Sequence, residues 1–496
     1  MPKTSISFVL DGEIVVLDEV DPTRTVLQFL REDLRRKGTK EGCAEGDCGA
    51  CTVVVAELNR NGDDLSVRAI NSCIQFLPTL DGKELITVES LSPDIHTLHP
   101  VQRAMVDNHG SQCGFCTPGF VMSLFALYKT NNAPSRHDID DALAGNLCRC
   151  TGYRPIIAAA QSMYADGARE TDWLRQPCGV QQPPVARVQR LKAMADDRSL
   201  EIEHAGRRFF APRDLAAFAD TYSANPDATI LAGGTDIGLW VTKKQVELDT
   251  VIYTGRVAEL TELAVTPSHI EVGAAVTLTD AIPEIVGHYP GLDELYRRFA
   301  APPIRNAGTL GGNVANGSPI GDSMAALMVV GATLVLRRGE KERELPLERF
   351  YHDYRVNDLG AGEFLVRIRI PLPTGDATVV SQKWSKRFVQ DISAVCTAYR
   401  LELDGDTVAS FRMACGGLAP VVRRATNCEA ALTGARWDEA GIARAVAALA
   451  DDFAPISDMR ASADMRLRAT QNLLRRFFRQ TQGEVQETVY SYGRQR

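Results

Sequence analysis

The stretch EGCAEGDCGAC sets Cys43, Cys48 and Cys51 in C-x4-C-x2-C spacing inside a loop of glycines and acids, and Cys73 follows in NSC. No other feature of the chain restricts its fold so strongly. The N-terminal residues MPKTSISFVLDGEIVVLDEV are interrupted by Asp11 and Glu13, so they lack the unbroken apolar core of a secretory signal and predict a cytoplasmic protein. Twelve cysteines in a reducing compartment point to metal or redox chemistry rather than to a disulfide framework. The spacing is one by which four thiolates hold two irons, the plant-type 2Fe-2S arrangement. Such a cluster is anionic, and Gly42, Gly46 and Gly49 let backbone N–H groups turn toward its sulfurs. A structural zinc site is the alternative, although zinc favours C-x2-C pairs and tetrahedral sets.

A second constellation lies in helix-forming sequence: QCGFC carries Cys113 and Cys116, and LCRCTGY carries Cys148 and Cys150. One helix cannot gather four thiolates. Two hairpin ends of a bundle can, with Gly114, Gly145 and Gly152 permitting tight turns. Taken alone, the four are either a metal site or scattered core thiols; behind a two-iron loop, the metal site is favoured. Cys178, Cys396, Cys415 and Cys428 match no metal spacing and read as linker or core thiols.

At 496 residues the chain should hold about three domains. Its net charge of −8 argues against nucleic acid as a partner, and its longest apolar run, Met324 to Leu336, is too short to span a bilayer. SISFVL and EIVVL flank Asp11-Gly12, a hairpin signal, and Thr25 caps a helix predicted from Val26, Leu27, Phe29, Leu30 and Leu34 with Gly38 ending it. CTVVVAEL reads as a strand. From about His99 to Tyr164 the periodicity is helical. RQPCGVQQPPVARVQR reads as a linker, and beyond it strands such as IEVGAAVTL, ATLVLRR, EFLVRIRIPLP, TAYRLELDG and FRMACGG mix with helices.

Two glycine-rich segments, ILAGGTDIG (230–238) and RNAGTLGGNVANGSPIGD (305–322), let backbone N–H groups approach a pyrophosphate, but neither is G-x-G-x-x-G. Most glycine clusters are simply loops.

With their CGFCTPG and CRCTGYRPI contexts, the eight cysteines resemble the two-cluster iron–sulfur domain of the xanthine dehydrogenase and molybdenum hydroxylase family, over residues 1 to 165. The resemblance implies that Cys43, Cys48, Cys51 and Cys73 ligate one 2Fe-2S cluster and Cys113, Cys116, Cys148 and Cys150 the other, the helical one being nearer the molybdenum cofactor. Gln112 takes the family position that touches the pterin; a surface Gln is the alternative. The glycine segments resemble the family's FAD domain, of the carbon monoxide dehydrogenase flavoprotein type. That implies FAD contacts from Leu231, Ala232, Gly233, Gly234, Thr235, Asp236 and Ile237, from Thr309, Leu310, Gly311, Gly312 and Asn313, and from Phe299, Asp322, Leu365 and Lys383. KWSKRFVQDISAV resembles the family's flexible region beside the flavin, but Phe388, Val389 and Gln390 replace a more acidic run of vertebrate members.

The expected fold class is α+β and multidomain: a ferredoxin-like β-grasp domain at 1–90, a helical-bundle domain at 91–168, a linker at 169–200, an α+β FAD-binding domain at 201–375 and a C-terminal α+β flavoprotein subdomain at 376–496. The resemblance implies an electron-transfer subunit. Electrons from hypoxanthine or xanthine would leave a molybdopterin cofactor on a large partner subunit, pass both clusters and FAD, and reduce NAD, in a heterotetramer of two small and two large chains. The segments left after the flavin half offer no room for the molybdopterin domain, so no residue here is expected to catalyse hydroxylation. The alternatives are the corresponding chain of an aldehyde or N-heterocycle hydroxylase, a stand-alone redox module, or a zinc-stabilised scaffold.

Overall fold

Asp11 and Gly12 reverse the chain with φ of 53° and 81°, and strands Ile6–Leu10 and Glu13–Leu17 pair antiparallel on either side. Two consecutive positive φ values give a turn whose twist matches that of the strands. Across the resulting sheet the order is Glu13–Leu17, Ile6–Leu10, Glu84–Ile86, Thr52–Leu58, Leu65–Asn71. Within Thr52–Leu58 the run Val53–Ala56 is apolar without a break because both faces of the strand are covered. Val53 and Val55 join the core of Phe8, Val26, Phe29 and Leu30, whereas Val54 and Ala56 join the core of Phe120, Leu124, Phe125 and Ile156.

The computed structural model describes residues 1–92, 97–165, 174 and 185–491. The chain divides into two units, Met1–Ala258 with Ala301–Gly308, and Glu259–Ala300 with Thr309–Arg496. In the first unit, helices Pro100–Asp107, Thr117–Thr130, Arg136–Leu143 and Arg154–Ser162 cover one face of the five-stranded sheet. Against its other face packs a four-stranded sheet ordered Leu200–His204, Arg207–Ala211, Thr250–Tyr253, Thr229–Leu231. Leu200, Ile202, Phe209, Leu231 and Val251 share one core with Phe8, Val53 and Leu85, so the frame of the first cysteine loop and the strand that ends at the first glycine turn are one packed body. Buried Asp81 ties the two sheets, accepting from the Lys3 ammonium at 2.5 Å and from Arg256.

The helix expected after Thr25 takes a different form. Thr25 caps it through a reciprocal bond pair with Gln28, but after Val26–Gln28 the chain widens into a π-turn over Phe29–Asp33. Val26, Leu27, Phe29 and Leu30 are all buried, Leu27 against Cys51, Cys73 and Ile74 and the others in the sheet core. A regular helix presents one stripe; the wider turn serves two cores. Of the stretch read as a linker, 169–173 and 175–184 lie outside the described residues, while Val185–Met194 is a helix that buries Val188 and Leu191. Cys178 lies outside the described residues as well.

The second unit holds a five-stranded sheet ordered Leu263–Val265, His269–Gly273, Phe364–Pro371, Thr333–Arg338, Lys341–Pro346 and a four-stranded sheet ordered Thr378–Trp384, Val395–Asp404, Thr407–Gly416, Arg423–Arg424. The strand read in IEVGAAVTL stops at Gly273, because Thr277 already caps helix Leu278–His288. The apolar run from Met324 is the buried helix Asp322–Val330, a turn at Gly331 and strand Thr333–Arg338. Helices Glu439–Asp452 and Ala463–Thr481 close a core of Tyr399, Phe411, Trp437, Phe477 and the buried thiols Cys415 and Cys428. Cys396 is buried too. Among the described residues no helix is long and apolar enough to cross a membrane.

Candidate functional site

The first cysteine loop leaves the π-turn and re-enters the sheet at Thr52. Ala44, Gly46 and Gly49 have φ of 56°, 78° and 70°, which folds the loop back so that the N–H groups of Asp47 and Cys48 both point to the Cys43 sulfur at 3.3 Å. Cys51 and Cys73 are buried, and Cys43 and Cys48 half-buried. Hydrogen bonds from Cys48 and Cys73 drive the Cys43 thiol far below its usual range, while their own thiols rise, Cys48 chiefly through its bond to Cys43 and Cys73 through its bonds to Cys43 and Cys51. Cys43 thus neighbours both Cys48 and Cys73, and Cys73 also neighbours Cys51. Asn71, which precedes the Cys73 turn, donates to the Gly46 carbonyl at 2.9 Å, and Ser72 to the Cys51 carbonyl at 2.6 Å.

The second set lies at two helix N-termini. Cys116 is the cap residue of the fourteen-residue helix Thr117–Thr130, and Cys148 and Cys150 lead through Tyr153, at φ 68°, into Arg154–Ser162. Free N–H groups and the positive end of each helix dipole favour anionic sulfur there. Cys116 neighbours Cys148 and Cys113 neighbours Cys150; burial and then the bond to Cys148 push the Cys116 thiol up to about 12. Burial raises the Cys148 thiol too, but donors from the Thr151 hydroxyl, at 3.2 Å, and the Thr151 N–H outweigh it and the thiol is lowered. Cys113, Cys150 and Gln112 are exposed.

Among the described residues no three His, Cys, Asp or Glu side chains converge on one point as a single ion requires. The cysteines come in neighbouring pairs, Cys43 with Cys48, Cys51 with Cys73, Cys113 with Cys150 and Cys116 with Cys148, and the bond between Cys43 and Cys73 links the first two pairs. Two linked pairs suit a binuclear centre, one pair for each iron, better than one tetrahedral ion.

The two sets are joined directly. The Leu147 N–H, one residue before Cys148, donates to the Cys48 carbonyl at 3.1 Å. Asn146, buried, donates to the Gly49 carbonyl at 3.2 Å while its own carbonyl accepts from Ser123 at 2.6 Å. Gly119, in the first turn of Thr117–Thr130, lies so close to Gly49 that a Cβ on it would run into the Gly49 carbonyl. No sequence rule singled out Gly119, Asn146 or Leu147.

In the same unit the first glycine turn follows strand Thr229–Leu231 and ends in helix Ile237–Thr242. Gly234 has φ 73°, Gly233 abuts the backbone of Ala307 and Gly308, and Asp236 accepts from the Trp240 indole at 3.0 Å. Leu231 is buried, Asp236 exposed, and Ala232, Gly233, Gly234, Thr235 and Ile237 lie between. This turn sits on Ile74, the residue after Cys73: a Cβ on Gly234 would stand 3.2 Å, and one on Gly238 2.6 Å, from the Ile74 carbonyl oxygen. Thr242 donates to the Ala44 carbonyl at 2.7 Å.

In the second unit Thr309 caps helix Leu310–Asn316, accepting from the Gly312 N–H at 2.9 Å, and Gly311 packs on the backbone of Ala274. Asn313 accepts from Ser323, which fixes that helix to the start of Asp322–Val330. Asp322 and Lys383 form a buried ion pair at 2.8 Å, and Ser393 donates to the same carboxylate at 2.6 Å. Two of the residues expected to contact FAD, Asp322 and Lys383, are thus each other's partners. Leu365 is buried on strand Phe364–Pro371 opposite Leu336. Half-buried Phe299 follows Arg298, whose guanidinium holds the segment read as flexible, donating to the carbonyls of Lys383 at 3.0 Å and Phe388 at 3.2 Å and to the Ser385 hydroxyl at 2.9 Å.

Comparison with known proteins gives four matches in chain order. Residues 8–75 match the 2Fe-2S iron-sulfur cluster binding domain, 87–161 the 2Fe-2S binding domain, 202–373 the FAD binding domain in molybdopterin dehydrogenase, and 381–481 the CO dehydrogenase flavoprotein C-terminal domain. Xanthine dehydrogenase of Emericella nidulans is 34% identical over 90% of this chain and 36% of its own length. The chain belongs to the molybdenum hydroxylase family, as its iron–sulfur and flavin module. Xanthine dehydrogenase of Drosophila pseudoobscura pseudoobscura is another such relative, 33% identical over 84% of this chain and 35% of its own. This member of the family thus spans about a third of the length of the xanthine dehydrogenases it matches. Among solved structures, carbon monoxide dehydrogenase from Hydrogenophaga pseudoflava is similar with a TM-score of 0.52 and 27% identity, over 54% of this chain and 94% of the other. Quinoline 2-oxidoreductase from Pseudomonas putida 86 gives 0.50 and 26% over the same shares.

The residues present fit the groups this family carries. Paired thiols with N–H donors aimed at Cys43 and Cys148 suit two 2Fe-2S clusters, and glycine turns without side chains over their N–H groups suit a dinucleotide pyrophosphate.

Proposed function

We propose that this chain carries electrons from a molybdenum cofactor held by a large partner subunit to FAD and on to NAD during the hydroxylation of hypoxanthine and xanthine. The observation that carries the reading is the continuous series inside the first unit: Cys148 adjoins Leu147, Leu147 bonds Cys48, and Cys73 adjoins Ile74 beneath the glycine turn. When bound, the clusters pass single electrons and the flavin accepts them singly and releases two as a hydride. In this reading Cys113, Cys116, Cys148 and Cys150 hold the entry cluster, and Cys43, Cys48, Cys51 and Cys73 the cluster beside the flavin. The turns at 231–237 and 309–313 cradle the pyrophosphate, Phe299, Asp322, Leu365 and Lys383 line the flavin, and exposed Gln112 meets the pterin. Exposure of Cys113 and Cys150 supports an entry at this end, since a donor outside the chain can reach them.

The relatives support purine over other heterocycles. Xanthine dehydrogenases match across both cysteine sets and the flavin half, over 90% of the chain in one case, whereas the carbon monoxide and quinoline enzymes match 54% of it. The latter chains are also covered almost whole, so modules of this family are divided between chains in more than one way, which supports a separate molybdenum subunit; the assembly proposed is a heterotetramer of two small and two large chains. A cytoplasmic setting goes with the reading, because the cluster ligands must stay reduced until metal is loaded.

Purification from the native host with iron, molybdenum and flavin counted tests this. About four irons and about one FAD per chain, a co-purifying molybdenum subunit and hypoxanthine-dependent NAD reduction are expected. Zinc without flavin would sink it, and a complex that oxidises quinoline but not hypoxanthine would move the substrate to the N-heterocycle class.

A further inference from the structure

Two helical glycines stand at the two junctions of the series. Gly119 is in helix Thr117–Thr130, three residues past Cys116, and Gly238 is in helix Ile237–Thr242, just past the glycine turn. Neither has a positive φ, so backbone conformation does not require glycine at either place. Glycine inside a helix is less favourable than alanine, so some other gain must hold it there. Space supplies that gain. A Cβ on Gly119 would meet the Gly49 carbonyl, with the Gly49 carbonyl carbon at 3.1 Å, and one on Gly238 would lie 2.6 Å from the Ile74 oxygen and 3.1 Å from the Ile74 Cα. Apart from the Ile74 Cβ and the Asn146 amide nitrogen the obstructing atoms are backbone, which cannot swing aside. Gly49 lies between Cys48 and Cys51, and Ile74 follows Cys73, so a shift at either contact moves ligands of the first cysteine set relative to the next group in the series.

We propose that Gly119 and Gly238 are spacing residues, each setting the separation of one electron-transfer step: Gly119 between the two clusters, Gly238 between the first cluster and the flavin. The inference rests on the proposed electron path and adds which residues fix its distances. One-electron transfer slows exponentially with separation, so a displacement too small to disturb the fold still reaches the rate. Asn146, bonded to Gly49, closes the first contact, and Thr242, on the helix of Gly238, ties that helix to the first cysteine loop through the Ala44 carbonyl.

The test uses the full-length holoprotein of Gly119→Ala, Gly238→Ala and, as control, Gly287→Ala, a helical glycine with open space around it. Flash photoreduction of the flavin, followed at the cluster absorbance, gives both transfer rates, and pulsed electron paramagnetic resonance gives the separation of the reduced clusters. Gly119→Ala is expected to lengthen the cluster separation and slow that step several-fold while leaving flavin-to-cluster transfer unchanged. Gly238→Ala is expected to do the reverse, and Gly287→Ala to change neither. Loaded variants with wild-type rates and separations overturn the inference, as does equal slowing in the control. Should an alanine variant fail to take up its cofactors, Asn146→Ala and the near-isosteric Thr242→Val probe the same contacts; each is expected to slow only its own step, and wild-type rates in both overturn the inference. Wild-type protein in which the flavin and clusters exchange no electrons would instead overturn the electron path itself.

Discussion

Lys383 and Asp322 are each nearly enclosed and only 2.8 Å apart, so neither charge has water to fall back on. Removing one partner of a buried pair leaves the other uncompensated; Asp322→Asn should therefore destabilise the second unit by about 3–5 kcal/mol in urea unfolding. A loss below 1 kcal/mol would show that solvent reaches the lysine. A second carboxylate reports through pH. Burial raises the Asp458 carboxyl, but bonds from Arg466, at 2.7 Å, and from the N–H groups of Ala461 and Arg460 outweigh it and hold the group at about 2. A folded pKa below the unfolded one, about 4, gives stability that is fully present above that value and lost as pH falls toward about 2. Asp458→Asn should flatten the stability profile across that window and leave its course above pH 5 unaltered. Arg466 itself is buried and also donates to the Ala394 and Gly417 carbonyls, so the loss should register at the junction of helix Ala463–Thr481 with its sheet.

At the scale of elements, the first glycine turn is held between the strand before it and the backbone of Ala307 and Gly308, which Gly233 approaches too closely for any side chain. Gly233→Ala should purify with substoichiometric FAD and unchanged iron, measured by released flavin fluorescence and iron assay; full flavin content would detach this turn from the cofactor. The Thr25 cap can be read the same way: Thr25→Ala should cost about 1 kcal/mol, since it removes the hydroxyl that accepts from the Gln28 N–H and leaves only the bond from the Thr25 N–H to the Gln28 side chain. These elements differ in how far the sequence exposed them. The cysteine sets were legible because thiolate ligation demands fixed spacing, and the hairpin because Asp11-Gly12 carries its own backbone conformation. The π-turn was not, because the same residues serve two cores and periodicity assumes one. Asn146 and Gly119 were invisible for another reason: their partner is Gly49, far away in the chain, and one asparagine or glycine has no local pattern. A signal did exist in the helical glycines of TPGFVMSL and GTDIGLW, whose cost in a helix asks for a packing reason.

On the scale of the molecule, the two units differ in what their cores depend on. The first builds its cysteine loops from left-handed turns and tight backbone contacts, with Cys51, Cys73 and Ile74 packed with Leu27 in a small core of their own. Four thiolates repel one another unless metal lies between them, so this arrangement should be stable only when loaded. The second unit closes over aromatic and aliphatic side chains, Tyr399 stacked on Phe477 at 4.6 Å and Trp437 against both Phe411 and Phe477, with no such dependence. Iron removal by a chelator under reducing conditions should thus speed hydrogen exchange in 38–51 and 145–153, where the Leu147–Cys48 and Asn146–Gly49 bonds open, and leave strands Val395–Asp404 and Thr407–Gly416 as protected as before. Exchange that rises equally in all four segments would mean the metal stabilises the whole chain as one cooperative body, and the loops could then open only with it.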